Sequence, residues 1–284
     1  MSQTIAAQLS AAIKKIATIS ETPRLEAELL LAQILNVSRV YLHTWPEREV
    51  NAAIVEKFSQ NVTRRCQGEP LAYILGYKEF WSLELIVTPD TLIPRPETEM
   101  IVELVLEYLP KEETFSVVDL GTGSGAIALA IAKERPHWQV IAVDKFNEAL
   151  QIAKLNANRH NIENVLFVQA SWLQSFAAQK FHAIVSNPPY IAENDPHLSS
   201  SELKFEPQTA LVAENQGFSA YQEIISQAPN CLMADGFLVL EHGKDQGKTV
   251  QELMRSHHFE NIKQYYDLAG IDRVCSGKKQ KLSL

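Results

Sequence analysis

Cysteine is scarce. Cys66, Cys231 and Cys275 are the three present in 284 residues, far apart and without a CxxC spacing. That argues against a disulfide framework or a cysteine zinc site and fits a reducing cytoplasm. Basic charge is in deficit as well, with a formal net charge of −8. Residues 1–90 hold nine Lys/Arg against ten Asp/Glu, and the remainder holds 17 against 24. Neither part has the excess expected of a surface that binds nucleic acid directly. No apolar run is long enough to span a bilayer, and the chain does not open on a basic segment followed by an apolar one. Repeats and low-complexity tracts are missing. None of the eight histidines, His182 and His242 included, stands in a catalytic setting, and no metal ligand set is expected. What remains is a chain that is 46% hydrophobic, enough core for one large domain or two modest ones, expected in the cytoplasm and as a monomer.

Against this background Ser186-Asn187-Pro188-Pro189-Tyr190 stands out. It follows Phe181–Val185, which reads as a buried strand. Ligands of open α/β sheets bind beyond the carboxyl ends of the strands. Two prolines remove two N–H donors and fix φ, and Pro188 biases Asn187 toward extended backbone. The loop is therefore stiff and presents carbonyl oxygens, one amide and one aromatic face. A planar –NH2 group suits it: the Asn187 side-chain oxygen and the Pro188 carbonyl each accept one hydrogen, and Tyr190 forms a wall. Taken alone, Asn-Pro is equally an ordinary turn opening.

The N-terminal part reads as helices. Ile5, Leu9, Ile13 and Ile16 share one face, Thr22-Pro23 opens a second helix through Leu25, Leu29 and Ala32, and Ser38 caps a short third. Asn51 caps a fourth, with Ile54, Phe58 and Val62 inward and Gly68 as its stop. Lys78–Trp81 and Glu84–Val87 read as a hairpin, with Phe80 and Trp81 in its core. Pro96 opens a helix that carries Glu97 and Glu99 in its first turn. Arg95 is either a surface residue or a contact for cofactor or substrate. Beyond residue 100 strands and helices alternate, ending in two late strands near Ile262–Tyr266 and Arg273–Ser276, which implies a mostly parallel sheet covered on both faces. The expected domains are 1–75, a helical docking module, 76–93, a β-hairpin linker, and 94–284, the catalytic domain.

Gly121-Thr122-Gly123-Ser124-Gly125 follows a strand and opens a helix. Its third glycine falls one position early for a dinucleotide fingerprint. Asp119 before it would repel a pyrophosphate but suits a ligand with an ammonium group. Asp144 ends the next strand, where a carboxylate accepts from both ribose hydroxyls. Trp172, after the third strand, is placed to flank an adenine. Glycine loop, ribose carboxylate, adenine wall and amine-holding loop follow in chain order at successive strand ends. That set describes S-adenosylmethionine with an –NH2 acceptor facing its methyl group.

Asp119–Gly125 together with Asn187-Pro188-Pro189-Tyr190 resembles the amino-group methyltransferases of the S-adenosylmethionine-dependent class I fold. Leu92–Glu99, the helical N-terminal part and the hairpin bring the resemblance closer still to the release-factor glutamine methyltransferases, the HemK/PrmC family. The resemblance covers essentially the whole chain. It implies a seven-stranded, mostly parallel Rossmann-like α/β sheet with an antiparallel last strand. It implies N5-methylation of the glutamine in the Gly-Gly-Gln motif of class-1 peptide-chain release factors. Carried over by motif, Gly121, Thr122, Gly123, Ser124, Gly125, Asp144 and Trp172 hold the cofactor. Asn187 touches both cofactor and substrate, and Pro188, Pro189 and Tyr190 complete the glutamine pocket, with Asn187, Pro188 and Tyr190 as the catalytic set. Phe205-Glu206-Pro207 and Ala210-Leu211 match a family loop, while Ala213–Phe218 departs from the glycine-richer run usual there. The rival is a nucleic-acid adenine N6-methyltransferase, whose exocyclic amine poses the same geometric problem.

Overall fold

The computed structural model describes residues 3–199 and 202–280. The chain divides into two compact units, Met1–Tyr77 with Ser199–Phe205, and Lys78–Leu198 with Glu206–Leu284.

The first unit is helical, with helices Ile5–Ile16, Pro23–Leu35, Arg39–Thr44, Ala52–Cys66 and Leu71–Leu75. Thr4, Ser38 and Asn51 cap three of these through their side-chain oxygens, satisfying N–H groups that lack helical partners. Thr22 makes no such bond; Pro23 instead sits where a missing N–H costs nothing. Ile5, Ile16, Leu30, Leu31, Phe58 and Val62 are buried together. Leu25 is exposed. Its neighbours Glu26 and Glu28 turn inward instead. Glu26 pairs with the buried Arg65 at 2.7 Å, and Arg65 also binds Glu202 at 2.7 Å. Glu28 pairs with Arg24 and Arg39 at 3.0 and 2.7 Å.

From the last residue of the first unit onward, the strands β1 (Tyr77–Phe80) and β2 (Leu83–Ile86) form the hairpin. Trp81 and Ser82 make its turn, both with positive φ, as a two-residue primed turn requires. Trp81 therefore leaves the strand expected for it. Its N–H donates to Glu99 at 2.7 Å and its indole N–H to Glu134 at 3.0 Å. Phe80, Leu83 and Leu85 are buried with Ile101, Val105 and Leu129, so the hairpin belongs to the second unit's core. Phe80→Ala is accordingly expected to destabilise the second unit by about 3–5 kcal/mol, the usual cost of emptying a phenylalanine site. Urea titration checks this; a loss below about 1 kcal/mol, the range of a surface change, would mean that the hairpin is a mere linker.

The large sheet is built from β3 (Ser116–Leu120), β4 (Gln139–Asp144), β5 (Val165–Gln169), β6 (Phe181–Ser186), β9 (Leu232–Glu241), β10 (Phe259–Tyr266) and β11 (Asp272–Lys279). Two further short strands, β7 (Ile191–Ala192) and β8 (Val212–Ala213), pair in parallel beside the site. The seven strands run in the order β10-β11-β9-β6-β3-β4-β5. All neighbours are parallel except where β11 lies antiparallel between β9 and β10. Side chains alternate across the sheet. Val117, Val140, Ala142, Ala183 and Val185 pack with helices Glu99–Tyr108 and Ala126–Glu134. Val118, Ile141, Val143 and Ile184 pack on the other face with helices Ser219–Cys231 and Gly247–Ser256. No helix among the described residues is long and apolar enough to cross a membrane.

The chain leaves β3 for β4 and β5 on one side, then returns to lay β6 on the other. The strand order thus reverses beside β3, and a crevice opens there at the carboxyl ends.

Candidate active site

A cavity of about 480 Å³ fills that crevice. Gly121 and Gly123 from the loop after β3 line it, with Asp144 at the end of β4, Trp172 after β5, and Asn187 and Pro189 after β6. Thr122, Ser124 and Gly125 do not. Thr122 donates its N–H to Val143 O at 2.9 Å, and Ser124 is buried. Gly125 starts helix Ala126–Glu134 at φ 88°, and a Cβ there would stand 3.0 Å from Leu129 Cδ1. These three shape the loop, while its two other glycines present bare backbone to the cavity.

Asp144 is buried except for its edge on the cavity. Its Oδ2 accepts from Gly123 N at 2.9 Å and its Oδ1 from Phe146 N at 3.0 Å. Burial raises its pKa, against these backbone donors. The carboxylate retains acceptor capacity beyond these donors and the Lys145 N–H. The Trp172 ring lies 3.6 Å from where a Cβ on Gly121 would stand.

Asp119 does not face the cavity. Its Oδ2 accepts from Thr122 Oγ1 at 2.6 Å and Ala128 N at 3.2 Å, and its buried Oδ1 has no partner among the described residues. It braces the glycine loop through these bonds. Burial pushes this carboxyl up to about 7. The folded protein then keeps a proton that the unfolded chain loses near pH 4. Ionising Asp119 therefore costs stability as pH rises from about 4 to about 7, with no further cost above. Relative to the parent, Asp119→Asn is expected to gain stability across that interval and hold a constant advantage beyond it. Urea titrations of both at stepped pH check this; a pH-independent difference would mean that Asp119 is ionised in the folded state throughout.

In the loop after β6, Pro188 is buried, and the Tyr190 carbonyl accepts from Gln246 Nε2 at 3.0 Å. Gly217, at φ 89°, abuts this loop, since a Cβ there would fall 2.3 Å from Tyr190 O. The segment that departs from the family's glycine pattern thus retains glycine where the backbones meet. Burial raises the Tyr190 phenol well above its ordinary range, so it stays neutral. The Asn187 amide donates from Nδ2 to Thr98 Oγ1 at 3.1 Å. Arg95 is held by the buried Glu206 carboxylate, which also accepts from Ile93 N at 3.0 Å. Glu206 so ties the Leu92 wall to the segment carrying Thr209–Ala213, both of which border the cavity.

The PrmC N-terminal domain model matches residues 7–76, and the methyltransferase small domain model matches residues 97–203. The release factor glutamine methyltransferase of Coxiella burnetii is 49% identical over 94% of this chain and 95% of its own length. That of Aliivibrio fischeri is 47% identical over 98% of each. The chain belongs to the release factor glutamine methyltransferase family. Among solved structures, the methyltransferase from Pyrococcus furiosus shares the fold at TM-score 0.52 and 16% identity, covering 70% of this chain and 90% of its own. The hMettl16 catalytic domain does so at TM-score 0.56 and 17% identity, over 78% and 82%.

Several residues that build the site in this family member escaped the sequence reading. Phe146 lines the cavity after Asp144; an apolar residue just past a strand end was its one local signal. Asn156, fully buried, accepts from Ile86 N at 2.7 Å and donates to Ile86 O at 3.0 Å and Ser124 O at 2.9 Å. It joins the hairpin to the glycine loop. Thr98 and Glu206 lie inside stretches that match the family, but their partners, like those of Glu241, gave no signal, because each acts on residues distant in sequence.

Proposed function

We propose that the chain transfers a methyl group from S-adenosylmethionine to the side-chain amide nitrogen of the glutamine in the Gly-Gly-Gln motif of class-1 release factors. The observation that carries this is one shared cavity: Asn187 and Pro189 border the same space as Gly121, Gly123, Asp144 and Trp172. The residues fit the co-substrate. Two side-chain-free positions accommodate close approach, a carboxylate with spare lone pairs suits ribose hydroxyls, and a half-buried indole suits a purine face. The cavity's volume falls within the range of small-molecule sites. When bound, S-adenosylmethionine supplies a methyl carbon made electrophilic by its sulfonium.

The chain's own residues hold the acceptor. An amide nitrogen is a poor nucleophile because its lone pair is delocalised. Asn187 Oδ1 and the Pro188 carbonyl each take one hydrogen of the –NH2 group, which fixes the nitrogen's orientation. They also stabilise positive charge developing on it, as preorganised dipoles do. Tyr190 walls the pocket with a neutral ring. Such positioning is worth roughly 7–11 kcal/mol. The methylated nitrogen is acidic enough to lose its proton without a strong base, so no general base is assigned.

The helical first unit serves as a docking module for the protein substrate. The −8 net charge supports a protein rather than a nucleic-acid partner. In the same reading the chain acts as a cytoplasmic monomer. Incubation with methyl-labelled S-adenosylmethionine, a release factor and cellular RNA and DNA tests the proposal. Label on the Gly-Gly-Gln glutamine, absent when that glutamine is replaced by alanine, is the expected result. Label on nucleic acid alone would overturn it.

A further inference from the structure

Asn187 has an amide whose two ends are nearly the same shape. With oxygen toward the substrate it accepts a hydrogen from the –NH2 group; reversed, it opposes donor to donor. Something must choose between the two. The neighbour of Asn187 is Thr98, at the end of the turn Pro96–Thr98 and buried. A hydroxyl can donate or accept, so Thr98 alone chooses nothing. Its Oγ1 lies 2.6 Å from Glu241 Oε2, at the end of β9, and Glu241 is buried too. An ionised carboxylate only accepts. The Thr98 hydrogen is therefore committed to Glu241, and Thr98 offers Asn187 only lone pairs. Only Nδ2 can sit against them, which is the bond found at 3.1 Å.

We infer that Thr98 and Glu241 are positioning residues that lock the Asn187 amide with its oxygen turned away from Thr98 and toward the substrate amide. This inference rests on the glutamine-methylation reading for its kinetic consequences, but the lock itself is a property of the free protein.

The lock also has a pH dependence. Burial raises Glu241 to about 7, against the Thr98 hydrogen bond, with Glu97 adding to the rise and Arg273 and Arg95 opposing it. Tyr190, also charge-coupled to Glu241, stays neutral. The Glu241 backbone carbonyl faces the Tyr221 hydroxyl at 3.3 Å. A proton on Glu241 lets it donate to Thr98, which frees the Thr98 hydrogen to point at Asn187 and removes the choice. Transfer by the parent protein should thus rise as pH passes upward through the Glu241 ionisation.

The test uses full-length protein, S-adenosylmethionine and a release factor. Thr98→Val, nearly the same shape without the hydroxyl, is expected to slow single-turnover transfer about tenfold or more, the effect of losing one oriented bond. Its affinity for S-adenosylmethionine, read by calorimetry, should not change. Thr98→Ser should recover transfer to within about threefold of the parent. Glu241→Gln should transfer more slowly than the parent above pH 8 and lose the rise with pH. A readout without turnover is nuclear magnetic resonance of the Asn187 side-chain amide, assigned with Asn187→Asp. One of its two protons should exchange slowly with solvent in the parent and Thr98→Ser, and fast in Thr98→Val. Parent-like transfer and exchange in Thr98→Val would overturn the lock. If that variant does not fold, a parent-like pH profile in Glu241→Gln would overturn it instead. Slow exchange in a parent protein that methylates no release factor would leave the lock standing and defeat the functional reading.

Discussion

Asn187→Ala is expected to lower the single-turnover rate by about 10²–10³, or about 2.7–4 kcal/mol, the loss typical of one preorganised acceptor or donor at a reacting group. Removing the side chain takes away one of two acceptors for the –NH2 hydrogens. The nitrogen is then free to rotate about the remaining Pro188 contact. Affinity for S-adenosylmethionine should fall far less, because Gly121, Gly123, Asp144 and Trp172 still border the cavity. Calorimetry and rapid-quench transfer on the same preparation separate the two. An unchanged single-turnover rate would remove Asn187 from the mechanism.

Asp144→Ala should show the opposite pattern, with binding lost first. Hydrogen bonds to a charged partner contribute about 1.5–3 kcal/mol each. Two ribose hydroxyls sharing this carboxylate make a loss of 100-fold or more in affinity the expectation, about 2.7 kcal/mol or more. The substitution also strips the acceptors from Gly123 N and Phe146 N. Asp144→Asn keeps the shape and one acceptor oxygen, and should recover part of the affinity. At saturating S-adenosylmethionine, single-turnover transfer by both variants should return toward the parent rate. Unaltered affinity in Asp144→Ala would show that the ribose is held elsewhere.

Much of the second unit was legible because its signals are local. A buried strand, a glycine turn and a helix can be read within a dozen residues. The site motifs came out in order for the same reason: each lies at the end of its own strand. What the motifs did not reveal was which way side chains point. Thr122 stands between the two cavity-lining glycines and Ser124 just past them, yet Thr122 bonds Val143 and Asp119 and the Ser124 carbonyl accepts from Asn156. Trp81 packs against the same core as Phe80, but it does so from a primed turn that lacks the glycine usually marking one. Strand β9 begins at Leu232 and runs through a stretch with no local strand signal, where Asp235 has positive φ and the register against β6 shifts. The largest gap was in buried polar partners. Glu241 meets Thr98 across 143 residues and Glu206 meets Ile93 across 113, and no spacing rule connects them.

Asn156 gives one of these long links an observable consequence. Because one carboxamide bridges Ile86 on the hairpin and Ser124 beside the glycine turn, the two cannot loosen independently. In deuterium-labelling experiments the Ile86 amide should become better protected when S-adenosylmethionine is added, although Ile86 does not line the cavity. The hairpin would then report occupancy of a pocket it never touches.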